Sequence, residues 1–325
     1  MERAKTVGYK LLMQLLHFAI VLIGISFLTF SIMFLSPRNP AELWLAGSDG
    51  NLGTISEEAI ERQEHIMGLD KPFLVQYGTW LGKALQGDLG TSFTYNTPVT
   101  EEIGKHMEPT LWMTAITLSV SILLAVPLGI LCAMYKDRLL DNMMRGFSFF
   151  GISLPSFLVS IIFLWFFCIK LGWLPVVSEG GVKGVILPSA VLILQFVAKM
   201  TRQIRAIVLE QLEQPYVDGA VIRGVKYRNI LFSHVLKNSA APILTCISIY
   251  VGLAFGGSTV IEGIFSVDGL GRMVVSAVAR LDIYVIQGFV LWVALIYLGV
   301  NFLVDILSAV VDPRIKYNQE TGGKS

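Results

Sequence analysis

Few residues in this chain have the types and spacing that bond-making chemistry requires. The four histidines, His17, His65, His106 and His234, are dispersed, and no H-E-x-x-H pair places two of them on one helix face. No metal site is expected. Cys132, Cys168 and Cys246 are isolated within apolar runs, where cysteine behaves as a small hydrophobe. The run Gly322-Gly-Lys-Ser325 imitates the end of a phosphate-binding loop, but no strand precedes it and no helix follows to cradle a phosphate. One stretch does carry organised spacing: Tyr216-Val-Asp218-Gly219-Ala220-Val-Ile-Arg223-Gly224, followed after nine residues by His234-Val-Leu-Lys237-Asn238. It predicts two short helices broken at Gly224. Gly219 and Ala220 leave a narrow face that lets another surface come close. Val217, Ala220 and Val221 form an apolar face of the first helix, and Ile230, Leu231, Val235 and Leu236 that of the second. Read alone, the stretch also fits a basic loop that only sets topology.

The elements that must position this stretch are membrane spans. Apolar residues make up 54% of the 325, charged residues only 15%, and mean hydropathy is +0.65. A soluble domain carries about 25% charged residues, so the chain is short of charge to cover a water-facing surface. A net charge of +1 gives no overall field toward nucleic acid. Leu11 to Leu35 is uncharged and, as a helix, spans about 37 Å, enough for a bilayer core of about 30 Å. It is too long for the apolar core of a signal peptide, so it is read as a retained helix, 11–36. Further spans are expected at 110–134, 147–169, 185–198, 239–261 and 283–311. The short fourth has Pro188 in its first turn and continues past Lys199 toward water. The fold class is therefore an all-α integral membrane protein with six transmembrane helices. Its core covers 110–311.

Lys and Arg set the orientation. Segments 1–10, 135–146, 199–238 and 312–325 hold 16 of them, and 37–109, 170–184 and 262–282 hold 9 over a longer total length. The first set is expected on the cytoplasmic side, with both termini. The 37–109 loop is then external and acidic, with 11 Asp and Glu against 5 Lys and Arg. It predicts helices over Glu57–Met67, ended by Gly68, and after Pro72, where Phe73, Tyr77, Trp80, Leu81 and Leu85 share helical spacing. Tyr77 and Trp80 are expected to anchor an amphipathic helix at the outer membrane surface or against a partner. Gly252 and Gly256 permit close helix contact within the chain or with another subunit. Asp305, a carboxylate inside a span, is read as an interfacial aspartate bonded to a neighbouring helix.

The 216–238 stretch resembles the cytoplasmic signature of importer permeases of the ATP-binding-cassette (ABC) superfamily, E-A-A-x-x-x-G followed by I-x-L-P. Asp218, Gly219, Ala220 and Gly224 match its first half in register; Asp replaces Glu, Gly replaces the first Ala, and Lys237 stands where Pro is usual. These departures look like those of the dipeptide, oligopeptide and nickel branch. Gly68-Leu-Asp-Lys-Pro72 and Gly87-Asp-Leu-Gly90-Thr-Ser92 resemble that branch's external loop. Glu262, Phe265, Gly269, Gly271 and Arg272 match its E-x-x-F-x-x-P-G-L-G-R segment, with Asp268 in place of Pro. Asn301, Asp305 and Asp312-Pro313-Arg314 match its closing motifs. The 68–93 stretch looks most like the nickel branch, and peptide permeases share much of it.

The resemblance implies a permease that catalyses no reaction itself. Its partners would be a homologous second permease, two ATPase subunits or domains that carry ATP and Mg, an external substrate-binding protein, and the lipid bilayer of a bacterial or archaeal cytoplasmic membrane. Asp218, Gly219, Ala220, Arg223, Gly224 and His234 would couple to the ATPase. Glu262, Phe265, Gly269, Gly271 and Arg272 would form an external gate loop. The cargo would be nickel, free or chelated, or di- and oligopeptides. The competing expectation is an ion-coupled secondary transporter. That class is marked by inward-facing carboxylates and inverted repeats, and neither is evident in the sequence.

Overall fold

A computed structural model describes residues 2–36, 39–46, 55–178 and 180–311. Among them every regular element is a helix, and the one β-type pairing is an isolated bridge between Thr91 and Pro98. Five helices are long and apolar enough to cross a membrane, and a bent pair brings the number to six if it counts as one span. The chain divides into two compact units. One comprises residues 1–108 and 269–298, the other 109–268 and 299–325. Asp312-Pro313-Arg314 lies outside the described residues.

The first unit contains α1 (Glu2–Phe34), α2 (Pro40–Ala46), α3 (Glu57–Met67) and α4 (Phe73–Ala84). It also holds the start of α5 (Val99–Met134), as well as α12 (Leu270–Ala279) and the first part of α13 (Ile283–Val311). Local chemistry sets the limits of α3. The Ser56 hydroxyl accepts from the Ala59 amide, and Glu57 and Glu58 complement the positive end of the helix dipole. Gly68, at φ +70°, then turns the chain in the left-handed region, where its amide bonds back to His65 and that of Leu69 to Glu64. One cluster of this unit gathers Phe30, Tyr77, Trp80 and Ile283; another packs Val99 and Ile103 on Leu270, Met273, Val285 and Ile286. The second cluster is close-fitting: a β-carbon at Gly288 would lie 2.6 Å from Val99.

The second unit holds the rest of α5, then α6 (Leu139–Ser153), α7 (Ser156–Phe163), a π-helical turn (Leu164–Lys170) and α8 (Gly181–Leu212). The short helices α9 (Pro215–Ile222) and α10 (Tyr227–Ile230) follow. A second π-helical turn (Leu231–Val235) runs into α11 (Leu236–Ile264), and the unit closes with the end of α13. Its core includes Met113, Val191, Phe196, Met200, Ile204, Tyr250 and Ile261. Helices α6 and α8 run antiparallel at very short range. A β-carbon at Gly151 would lie 2.6 Å from that of Ala198, and one at Gly129 of α5 would lie 2.8 Å from Ile204.

Several expected boundaries differ from the observed ones, each for a physical reason. The span expected as one helix over 147–169 is broken. Pro155 has no amide hydrogen to continue the ladder, and α6 and α7 meet at 98°. The carbonyl of Leu154, at the break, accepts from Gln195 Nε2 of α8 at 3.1 Å. Helix α5 begins at Val99 rather than Thr110, because its first turns are amphiphilic and an apolar run does not register them. Helix α8 starts at Gly181, so Pro188 is in its interior and not in its first turn, and the helix continues to Leu212. The expected loop over 262–282 is largely helical, with the end of α11 and all of α12 within it.

Candidate functional site

The 214–236 segment is built by three local devices. Gln214 is extended (ψ 145°), and Pro215, at the first helical position, starts α9 without losing a bonded amide. At the other end Gly224 takes φ +74°. Its amide bonds to the Val221 carbonyl at 2.9 Å and that of Val225 to the Ala220 carbonyl at 3.1 Å. This pair of bonds is the Schellman closure of a helix. Arg223 adds a third contact, its Nε donating to the Gly219 carbonyl at 3.0 Å. The left-handed φ explains a glycine here, because a β-carbon would meet the backbone and not a neighbouring residue: nothing else lies within 4 Å.

Two side chains hold α9 to the body. Val217 and Ala220 are buried with Ile230, Leu231 and Val235 in the core of the second unit. Val221, expected on that apolar face, instead points outward with Ile222; they are 57% and 86% exposed. Eight residues make barely two turns, and only the i, i+3 pair Val217 and Ala220 faces inward. Asp218, Arg223 and His234 are exposed, and a β-carbon at Gly219 would meet open space. The outer surface of α9 and its closing turn is thus a narrow ridge with one carboxylate, one guanidinium and two bare aliphatic side chains. The stretch expected as a second short helix is continuous with α11 through the π-helical turn.

The residues expected in an external gate loop fall in different settings. Glu262 is in the last turns of α11 rather than in a loop. It is fully buried, and its Oε1 accepts from Thr110 Oγ1 at 2.8 Å. Phe265 is buried in the core of the second unit, and Ser266 at φ +53° closes α11, with the Val267 amide bonded to the Glu262 carbonyl at 2.9 Å. Gly269 caps α12, Gly271 is buried in it, and Arg272 is on its exposed side. Asp305 is on an exposed face of α13.

Tyr77 and Trp80, expected as surface anchors, do not lie at the surface of the chain. Both are buried against α1 in the first unit. The Tyr77 hydroxyl is 2.8 Å from Ser26 Oγ, its ring meets Phe27 edge-on at 5.3 Å, and Trp80 Nε1 donates to the Leu89 carbonyl at 3.3 Å. The aromatic face of α4 was legible in the spacing, but its partner was not: a span with Ser26, Phe27 and Phe30 on one side offers it a better surface than water.

Sequence reasoning also passed over Asp282. This buried residue precedes α13, and its Oδ2 accepts from Ser92 Oγ at 2.6 Å and from the Thr94 amide at 2.8 Å, pinning the 91–97 turn. An aspartate just before a long apolar run was the available signal. Beside this turn the first unit has an open cleft of about 610 Å³ whose walls include Trp44, His65, Lys71, Lys83, Asp88 and Asn96. Among the described residues no group of three or more His, Cys, Asp or Glu side chains could hold a metal ion.

Comparison with known proteins agrees with this architecture. Residues 125–317 match the family described as binding-protein-dependent transport system inner membrane component, and residues 9–114 match the description of its N-terminal part. A protein of Brucella abortus (strain 2308), provisionally named a peptide transport system permease, is 33% identical over 306 residues, covering 92% of this chain and 96% of that one. The glutathione transport system permease protein GsiC of Salmonella typhimurium is 34% identical over 306 residues, covering 94% and 98%. A chain of the MetNI methionine ABC transporter, solved in inward-facing conformations, is similar in fold, with a TM-score of 0.51 at 16% identity, over 66% of this chain and 97% of that one. With two family descriptions accounting for most of its length and full-length relatives at a third identity, the chain belongs to the binding-protein-dependent transport system inner membrane components, the multi-pass permease subunits of ABC importers.

Proposed function

We propose that this chain is one of two permease subunits of an importer for short peptides, and that α9 is its contact with the ATPase. The observation that carries the reading is the outward ridge of α9, which is held by its inner face and closed at Gly224 while Gly219, Val221 and Ile222 are left uncovered. Exposed aliphatic side chains beside a glycine suit a cleft on a partner surface better than water. The excess of Lys and Arg in 199–238 and the other segments of its set supports a cytoplasmic position for α9 and for both termini, in a bacterial or archaeal cytoplasmic membrane. ATP and Mg would be held by the partner subunits. Closure of the ATPase pair around ATP would push on α9, and the pore would change the side to which it opens.

Pairing with a second permease is supported by α11, where Gly256 and Gly257 are exposed and a β-carbon at Gly256 would meet nothing within 4 Å. Small residues of this kind let a second helix approach closely in lipid. A peptide cargo is favoured over nickel by the names of the relatives, which refer to peptide and glutathione transport. An external binding protein would deliver the cargo.

Three measurements test the reading. Gly219→Trp places a bulky side chain on the ridge. The variant should still insert in the membrane but no longer retain the ATPase on purification; retention with normal transport would reduce α9 to a topological loop. Mass spectrometry of the ligand carried by the cognate binding protein should find a short peptide, and finding nickel would reverse the cargo assignment. Robust uptake by this chain alone, driven by an ion gradient, would favour a secondary transporter.

A further inference from the structure

Helix α6 begins with a carboxylate that no surface role explains. Asp141 is fully buried, and Arg205 of α8 grips it with both arms of its guanidinium: Nε to Oδ1 at 2.5 Å and Nη2 to Oδ2 at 2.7 Å. The Asp137 amide, in a left-handed turn at φ +62°, donates to Oδ2 at 2.9 Å, and Arg145 Nε is 3.9 Å from the same oxygen. The flanking turn is tied to the end of α8 as well, by Lys136 Nζ to Glu213 Oε1 at 3.0 Å. Farther along, Gly151 meets Ala198 and Leu154 accepts from Gln195. Within the helices the Asp141–Arg205 pair, the Gly151–Ala198 contact and the Gln195–Leu154 bond therefore register α6 against α8 along about 15 Å, and of these three the ion pair is nearest to α9.

A buried ion pair is a poor way to gain stability, because desolvation offsets most of its attraction and apolar side chains of the same volume serve as well. What the forked geometry adds is direction: a planar guanidinium on a carboxylate resists rotation and sliding that a greasy contact permits. Position gives that property a use. Only Glu213 and Gln214 separate α8 from α9, so a push on α9 is delivered to the α8 turn that carries Arg205. Beyond the clamp, α6 leads to the bend at Pro155 and into α7. We infer that Asp141 and Arg205 are positioning residues for transport, a clamp that makes α6 and α8 move as one lever so that displacement of α9 reaches the bent α6–α7 pair. The inference rests on α9 being the ATPase contact.

The test uses the whole importer in lipid nanodiscs. Spin labels at Met143→Cys on α6 and Glu210→Cys on α8, both exposed positions, are introduced after Cys132, Cys168 and Cys246 have been replaced. In the otherwise unaltered protein the inter-label distance should be narrow and the same with and without ATP. A distance that changes with ATP overturns the clamp without any variant at the pair. Arg205→Lys keeps the charge and loses the fork. It should assemble and hydrolyse ATP at the basal rate, while the distance distribution broadens and stimulation by loaded binding protein falls about fivefold. The charge-swapped double variant, Asp141→Arg with Arg205→Asp, should recover part of that stimulation. Normal stimulation and a narrow distance in Arg205→Lys would refute the inference. Failure of the α9 reading is a separate result, seen as the ATPase remaining bound to Gly219→Trp whatever the labels report.

Discussion

Gly224 offers the sharpest quantitative test of the coupling segment. Its φ of +74° lies in the left-handed region, and a β-carbon there would meet no neighbour within 4 Å. Steric conflict with the rest of the protein therefore drops out, and a substitution costs only the backbone term, about 1–2 kcal/mol for an ordinary L-residue. If the segment must hold the Schellman closure to present α9, that cost becomes a 5–30-fold loss in the population able to dock, roughly. Asparagine tolerates the left-handed region better than alanine, and a β-branched residue tolerates it worst. The expected order for ATPase retention and for binding-protein-stimulated hydrolysis is Gly, then Asn, then Ala, then Val. Gly219→Ala is the internal control. That position is helical and opens on empty space, so alanine should stabilise α9 by about 0.5–1 kcal/mol. The assay is titration of the purified ATPase onto permease in nanodiscs, with surface expression measured alongside. Equal affinity for Gly224→Val and the unaltered protein would refute the argument that the turn conformation presents the docking helix. So would an order that follows side-chain size in place of left-handed tolerance.

Three further outcomes are expected. Trp80→Ala removes a large buried side chain from the first unit and should cost about 3–5 kcal/mol, read as a lowered Tm of the purified complex in detergent; an unchanged Tm with loss only of binding-protein docking would return Trp80 to a surface role. Asp282→Ala removes the acceptor that holds Ser92 Oγ and the Thr94 amide and should raise hydrogen exchange across 91–97 at least several-fold, an effect that Asp88→Ala, whose carboxylate accepts from the Gly90 amide outside that turn, should not reproduce there. For topology, Glu58→Cys in a background without native cysteines should react with an impermeant reagent added outside intact cells and Asn229→Cys should not; equal labelling of these two exposed positions would invert the orientation drawn from Lys and Arg.

Much of the architecture was legible along the chain because the bilayer imposes one-dimensional rules. Apolar stretches of span length announce helices, and α13 over Ile283–Val311 starts and ends at the limits its apolar run indicates despite Asp305 within it. The α9 break at Gly224 was equally readable, since a glycine ending a short helical pattern marks the left-handed closure by a rule local to a few residues. What tertiary structure decided are the pairings. No periodicity distinguishes a Tyr77 facing lipid from one bonded to Ser26, because both call for the same aromatic stripe on α4. Asp141 reads as an ordinary polar residue beside an apolar run and Glu262 as a member of an external loop, yet each is buried, because Arg205 and Thr110 come from helices distant in sequence. The bend at Pro155 shows both levels together. Proline announces that the ladder must fail there, but the contacts around the 98° bend come from α8, whose Gln195 Nε2 donates to the Leu154 carbonyl and whose Ala198 packs where Gly151 has no side chain. Local rules state where a helix starts or stops; which of its faces meets another helix is settled by contacts that form only when the chain has folded.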